Sequence, residues 1–220
     1  DSYFYQQHIS RPREAEGMTS ESDTPPGLQL GPTFLSLDVD GRVLRLDSLS
    51  KVLAPGFRIG WVTGPSELTA KYDALAYASS QNGSSLSIML LGRMLEAWGR
   101  PGFEAQVIKL QQSLKDKCAA LMTAIEKHLQ GKLEVWTKPN AGMFLWAKIL
   151  APAPSEDELV QLFKEHGIVA LPGSTCAARS SRDPCPFIRI SFSAEVDTYD
   201  EGMRRLGKVL DALQARSAAA

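Results

Sequence analysis

The feature that most limits the folds open to this chain is a single long amphipathic run over residues 103–129. In it Val107, Leu110, Leu114, Leu121 and Ile125 recur at helical spacing. A helix of that length commonly bridges domains, and the break at residues 99–102 sets its start, so the chain divides into 1–102 and 103–220. Past the helix, the pattern predicts strands over 133–137 and 143–149 and a helix from Ser155 with Glu156 and Glu158 in its first turn. A short strand at 168–171, a strand at 187–192 and a helix over 196–213 follow. This β-β-α-β-β-α order implies a small α+β domain.

Ahead of the long helix the signals differ. Residues 6–32 are polar and rich in Pro, Gly, Ser and Glu, which predicts an extended surface loop. Apolar residues then alternate over 33–47 around the turn Asp38-Val39-Asp40-Gly41, and 57–63 is a second β-rich run ended by Gly64-Pro65. Two or three strands are expected there. Helices are predicted from Pro65-Ser66-Glu67 to about Ala78 and from Ser85 to about Trp98.

Composition narrows the partners. A hydrophobic share of 44% with 22% charged residues fits a soluble globular protein, and a net charge of −1 without like-charge blocks marks neither a nucleic-acid surface nor a membrane anchor. Small molecules are the expected partners. Cys118, Cys176 and Cys185 lack metal-type spacing, so free thiols in a reducing compartment, cytoplasmic or mitochondrial, are expected and no metal site is. His8, His128 and His166 lie far apart and read as surface residues. The chain opens on Asp1 and the aromatic cluster Tyr3, Phe4, Tyr5, which suggests a start within a domain.

The chemistry concentrates in Ser48-Leu49-Ser50-Lys51 and Pro55-Gly56-Phe57-Arg58-Ile59-Gly60, between two expected strands. A lysine at a strand end can form a Schiff base with an aldehyde. Hydroxyls at i and i+2 can donate to phosphate oxygens, and an arginine can clamp the same phosphate bidentately. A lone loop lysine is ordinarily just a solvated charge; the combination is far rarer.

S-x-S-K followed by P-G-x-R-x-G resembles the cofactor-lysine motif of the fold-type I pyridoxal-phosphate aminotransferases. The resemblance implies that Lys51 holds pyridoxal 5′-phosphate covalently and shuttles the reacting proton, and that Ser48, Ser50 and Arg58 bind its phosphate. It also implies the C-terminal part of a large domain with a mixed, mostly parallel sheet, followed by the small α+β domain. Tyr3 matches a tyrosine that in the family hydrogen-bonds the cofactor's phenolic oxygen from a preceding strand, with plain aromatic packing as the rival reading. The family's aspartate for the pyridine nitrogen stands three residues before that tyrosine, whereas Asp1 stands only two before, so an absent residue or Asp1 fills that role.

A third match is Pro186-Phe187-Ile188-Arg189-Ile190-Ser191-Phe192, one arginine inside an apolar alternation. Burying an arginine is costly without an anionic partner. The resemblance implies that Arg189 binds the substrate α-carboxylate; an internal salt bridge or an edge-strand position would also account for it. Asn140-Ala141-Gly142-Met143-Phe144-Leu145-Trp146 resembles a small-domain strand near the substrate, though a turn and buried strand explain Gly142 and Phe144 equally well.

Residues 32–43 and Phe144-Leu145-Trp146 look most like the kynurenine/2-aminoadipate and aromatic aminotransferase branch. That implies transfer of an amino group from an aromatic amino acid, kynurenine or 2-aminoadipate to 2-oxoglutarate, in a homodimer. Two alternatives stay open: a lyase or decarboxylase on the same fold, and the effector-sensing domain of a transcriptional regulator. Without earlier strands of the large domain, residues 1–220 taken alone are expected to bind cofactor weakly, because sheet edges would stand unpaired.

Overall fold

The computed structural model describes residues 3–7, 28, 30–177 and 185–218; Asp1, His8 and the Pro-Pro-Gly stretch at 25–27 lie outside them. Its first strands, β1 (Arg45–Ser48) and β2 (Gly60–Thr63), pair antiparallel with Ser48 opposite Gly60. The alternation over 33–37 does not become a strand. Residues Phe34–Leu37 form a 3-10 turn because Thr33 and Ser36 cap it reciprocally: Ser36 N donates to Thr33 Oγ1 and Thr33 N to Ser36 Oγ, each at 3.2 Å. The next turn forms as expected, with Asp38 accepting from the backbone N–H groups of Asp40, Arg42 and Val43. Those donors, Arg42 and Val43 foremost, hold the Asp38 carboxyl below its ordinary range.

Helix α1 (Ser66–Ala78) follows Gly64-Pro65, and α2 (Ser85–Leu129) takes up both of the later helical signals. The break between them survives as a kink at Gly99 (φ 57°, ψ −173°), a conformation glycine alone adopts cheaply, with Pro101 two positions on.

Two compact units result, Asp1–Gln112 and Ser113–Ala220. The division falls within α2. The reason is packing: Phe103 and Val107, past the kink, join Leu49, Val52, Ile59, Leu91, Met94 and Leu95 in the core of the first unit.

The second unit has strands β3 (Leu133–Glu134), β4 (Phe144–Ile149), β5 (Leu171–Pro172) and β6 (Phe187–Ser191), with α3 (Glu156–His166) and α4 (Tyr199–Ala218). They form one antiparallel sheet in the order β3-β4-β6-β5. Leu145, Ala147, Ile149, Ile188 and Ile190 alternate onto the buried face. The core also takes Leu114, Cys118, Leu121, Ile125 and Leu129 from α2, Leu159, Leu162 and Phe163 from α3, and Met203, Leu206, Val209, Leu210 and Leu213 from α4. Spacings of three and four put each set on one helix face. Helix α3 begins as its sequence indicates, with Ser155 Oγ accepting from Glu158 N. Among the described residues, no helix is long and apolar enough to cross a membrane.

One buried polar residue closes this unit. Tyr199 Oη lies 2.8 Å from Phe192 O and 3.0 Å from Ala194 O, so its single proton serves the chain where it leaves β6. Burial, reinforced by Glu195 and Cys118, pushes its hydroxyl pKa up to about 12, and it remains a donor across the physiological range. Tyr199→Phe is expected to cost about 1–3 kcal/mol, the penalty for buried acceptors losing their donor. Urea unfolding monitored by tryptophan fluorescence checks this; an unchanged midpoint would show that water replaces the hydroxyl.

Candidate active site

The loop from β1 to β2 carries four of the expected site residues. It leaves β1 at Ser48, makes a 3-10 turn over Leu49–Lys51 and a second over Pro55–Phe57, and re-enters the ladder through Arg58. Buried Leu49 and Val52 anchor it, which leaves Ser50 and Lys51 on the half-buried side. Ser48 accepts from Ser50 N at 3.1 Å and donates to Ser50 Oγ at 3.0 Å; Arg58 Nη1 donates to Ser50 Oγ at 3.3 Å and to Pro55 O at 3.1 Å. Ser48, Ser50 and Arg58 are thus one hydrogen-bonded group. Gly60 closes the motif for a steric reason, since a Cβ there would stand 2.6 Å from Asp47 O.

Arg58 is held at φ 55°, ψ 40°, a left-handed conformation that costs a non-glycine residue roughly 1–2 kcal/mol. Strain of this kind gathers at functional sites. Among the described residues Arg58 has no carboxylate partner. Two hydroxyls and an unneutralised guanidinium suit a phosphate, and pyridoxal phosphate fits the donor set on that ground. Lys51 Nζ likewise has no hydrogen-bond or ion-pair partner among the described residues, while Lys51 O accepts from Gln6 Nε2 at 3.0 Å. Arg58→Gly tests a phosphate role for that residue: it is expected to relieve the backbone and, if Arg58 binds phosphate, to weaken pyridoxal phosphate binding about 10- to 100-fold, the worth of charge-assisted hydrogen bonds. Fluorescence titration with pyridoxal phosphate, beside a melting curve, tests both halves.

Tyr3 lies in a turn leading into the 3-10 helix Phe4–Gln6, not on a strand. Glutamine amides bind the main chain here: Gln7 Nε2 donates to Phe4 O, Gln7 Oε1 accepts from Gly31 N and Gln111 Nε2 donates to Tyr5 O. Gln7 sits at the start of a stretch that sequence alone presents as a featureless polar loop, and Gln111 reaches Tyr5 from α2.

In the second unit Arg189 stands on β6, flanked by Trp146 of β4 and Leu171 of β5, so it is on an interior strand and the edge-strand account fails. Among the described residues it has no salt bridge. Its guanidinium carbon lies 4.2 Å from the centre of the Phe144 ring. The same face carries Phe187 stacked on Trp146, ring centres 5.7 Å apart, with Trp136 edge-on to Phe187 at 5.2 Å. A half-buried guanidinium over an aromatic ring, with no salt bridge among the described residues, has the chemistry to take a carboxylate. The pairing of Phe144 with Arg189 was beyond sequence reasoning, though both residues stand on strands facing the same way.

A lysine beside a phosphate-type donor group is the arrangement a pyridoxal-phosphate protein of fold-type I would use, and known proteins similar to this chain point the same way. The family description "Aminotransferase class I and II" matches residues 16–206, and the chain belongs to that family. It is 38% identical over 180 residues to the mitochondrial kynurenine/alpha-aminoadipate aminotransferase of Bos taurus, covering 81% of this chain and 42% of that protein. It is 31% identical over 194 residues to an aromatic amino acid aminotransferase of Schizosaccharomyces pombe, covering 83% and 40%. The solved structure of aminotransferase Aro8 from Candida albicans superposes with TM-score 0.79 at 27% identity, over 98% of this chain and 50% of that one. The alpha-aminoadipate aminotransferase LysN of Thermus thermophilus, solved with N-(5'-phosphopyridoxyl)-L-leucine, shares the fold with TM-score 0.81 at 22% identity, again over 98% and 50%. The chain therefore spans about two fifths of the curated relatives' length and half that of the solved structures.

Proposed function

We propose that the full-length protein transfers an amino group from an aromatic amino acid, kynurenine or 2-aminoadipate to 2-oxoglutarate, using pyridoxal 5′-phosphate and working as a homodimer. The observation that carries this reading is the grouping of Ser48, Ser50 and Arg58 beside a Lys51 whose Nζ has no partner among the described residues. The relatives' names support the choice of amino donors.

Pyridoxal phosphate, when bound, supplies an electron sink for negative charge developing at the substrate Cα. Ser48 Oγ, Ser50 Oγ and Arg58 would hold its phosphate. Lys51 Nζ would hold the cofactor at rest and, once displaced by the substrate amine, would accept the proton released from the substrate Cα and later give it back. Tyr3 orients the ring through its hydroxyl. Arg189, its guanidinium carbon 4.2 Å from the Phe144 ring centre, takes the substrate α-carboxylate in a paired hydrogen bond.

Incubating the full-length protein with pyridoxal phosphate and kynurenine, 2-aminoadipate or phenylalanine, then assaying 2-oxo acid before and after 2-oxoglutarate, tests the reading. One equivalent of 2-oxo acid without acceptor and turnover with it are expected. Release of carbon dioxide or an amine instead would assign a lyase or decarboxylase.

A further inference from the structure

Gln6 is the one buried side chain with an oxygen left unpartnered, among the described residues of the first unit, that also touches the candidate lysine loop. It is fully buried, at 0% exposure, yet its Oε1 has no hydrogen-bond partner among those residues. Its Nε2 donates to Lys51 O at 3.0 Å, and this bond decides the amide's orientation, because the opposite flip would set two oxygens against each other.

A buried orphan acceptor opposes folding, and an apolar side chain of the same length would avoid that cost. Methionine is such a side chain. A group kept against that gradient calls for an explanation, and here the explanation lies at its other end. The main chain of Lys51 sits at the end of a single 3-10 turn, a weakly held element, whose N–H bonds run locally from Val52 and Leu53 back to Leu49 O. The Gln6 bond crosses 45 positions of sequence to reach it. The segment that supplies Gln6 is itself pinned, by Gln111 Nε2 on Tyr5 O and by the Tyr5 ring edge-on to Phe103 at 5.6 Å.

We infer that Gln6 is a positioning residue for Lys51, clamping its carbonyl so that the direction of the side chain is set before any ligand arrives. This rests on the reading of Lys51 given above. Preorganisation of this sort acts through the precision of the reacting group, where misplacement far from the chemistry is costly.

The test uses the full-length protein, with pyridoxal phosphate as probe, in Gln6→Met beside wild type and Lys51→Ala. Without cofactor, Gln6→Met is expected to melt within a few degrees of wild type, since removal of the unpartnered Oε1 offsets the loss of the donor to Lys51 O. Its peptide containing Lys51 and Val52 should nonetheless exchange deuterium faster, while peptides of β4 and β6 do not change. Affinity for pyridoxal phosphate should fall about three- to tenfold, the range of one net hydrogen bond, and the pH midpoint of the Lys51-dependent visible band should move. Unaltered affinity, midpoint and exchange overturn the inference, and so does faster exchange spread equally over both units. A band that persists in Lys51→Ala removes the reading of Lys51 and this inference with it; a band lost there but unmoved in Gln6→Met removes the role of Gln6 alone.

Discussion

Lys51→Ala in the full-length protein is expected to lower the rate of amino-group transfer by roughly 10⁴-fold, the upper range for removing a positioned general acid–base. The loss should be mainly in kcat. Its Nζ has no partner among the described residues, so no structural ion pair disappears with it, and the flanking anchors Leu49 and Val52 stay in the core. The melting temperature without cofactor should remain near that of wild type. Single-turnover production of 2-oxo acid, with the visible spectrum recorded on the same sample, measures both the rate and the loss of the lysine-dependent band. A rate within tenfold of wild type would move the proton-transferring role to another residue.

Arg189→Leu is expected to reduce kcat/KM for amino acid donors by about 10²- to 10³-fold, equivalent to about 3–4 kcal/mol of lost charge pairing with the substrate carboxylate. Arg189→Lys should recover little of it. An ammonium does not offer two parallel donors in a planar fork, whereas the guanidinium, its carbon 4.2 Å from the Phe144 ring centre, does. Folding should tolerate the leucine, because Arg189 has no salt bridge among the described residues and its neighbours Ile188 and Ile190 carry the buried face of β6. Steady-state kinetics with donors of different side chains decide the matter. A fall common to all donors, larger in KM than in kcat, locates the effect at the α-carboxylate; unaltered constants would return Arg189 to a structural role.

Much of the site is local in sequence and was legible for that reason. Ser48, Ser50, Lys51 and Arg58 fall within one loop, so hydroxyl spacing, the Pro-Gly turn and the later arginine sit together on the page as they do in space. The caps at Ser155 and the break at Gly99 were legible too, since each acts through its own backbone. What escaped was every relation between distant positions. Residues 33–37 alternate like a strand, but two hydroxyls three apart compete for the same backbone groups and close a 3-10 turn. Gln6 and Gln7 look like the first residues of a polar loop, yet their amides reach Lys51 and Gly31.

Hydrophobic periodicity and turn chemistry, by themselves, determined the order of strands and helices, the long helix, and the loop that holds the lysine, because these depend on residues within a few positions of one another. Tertiary structure alone decided where the units part, how strand register brings Arg189 to an interior strand, and which ring lies under it. Those are matters of which apolar faces find each other and which strand edges pair. Such choices are made by burial and hydrogen bonding over the whole folded unit, and no stretch of sequence carries them alone.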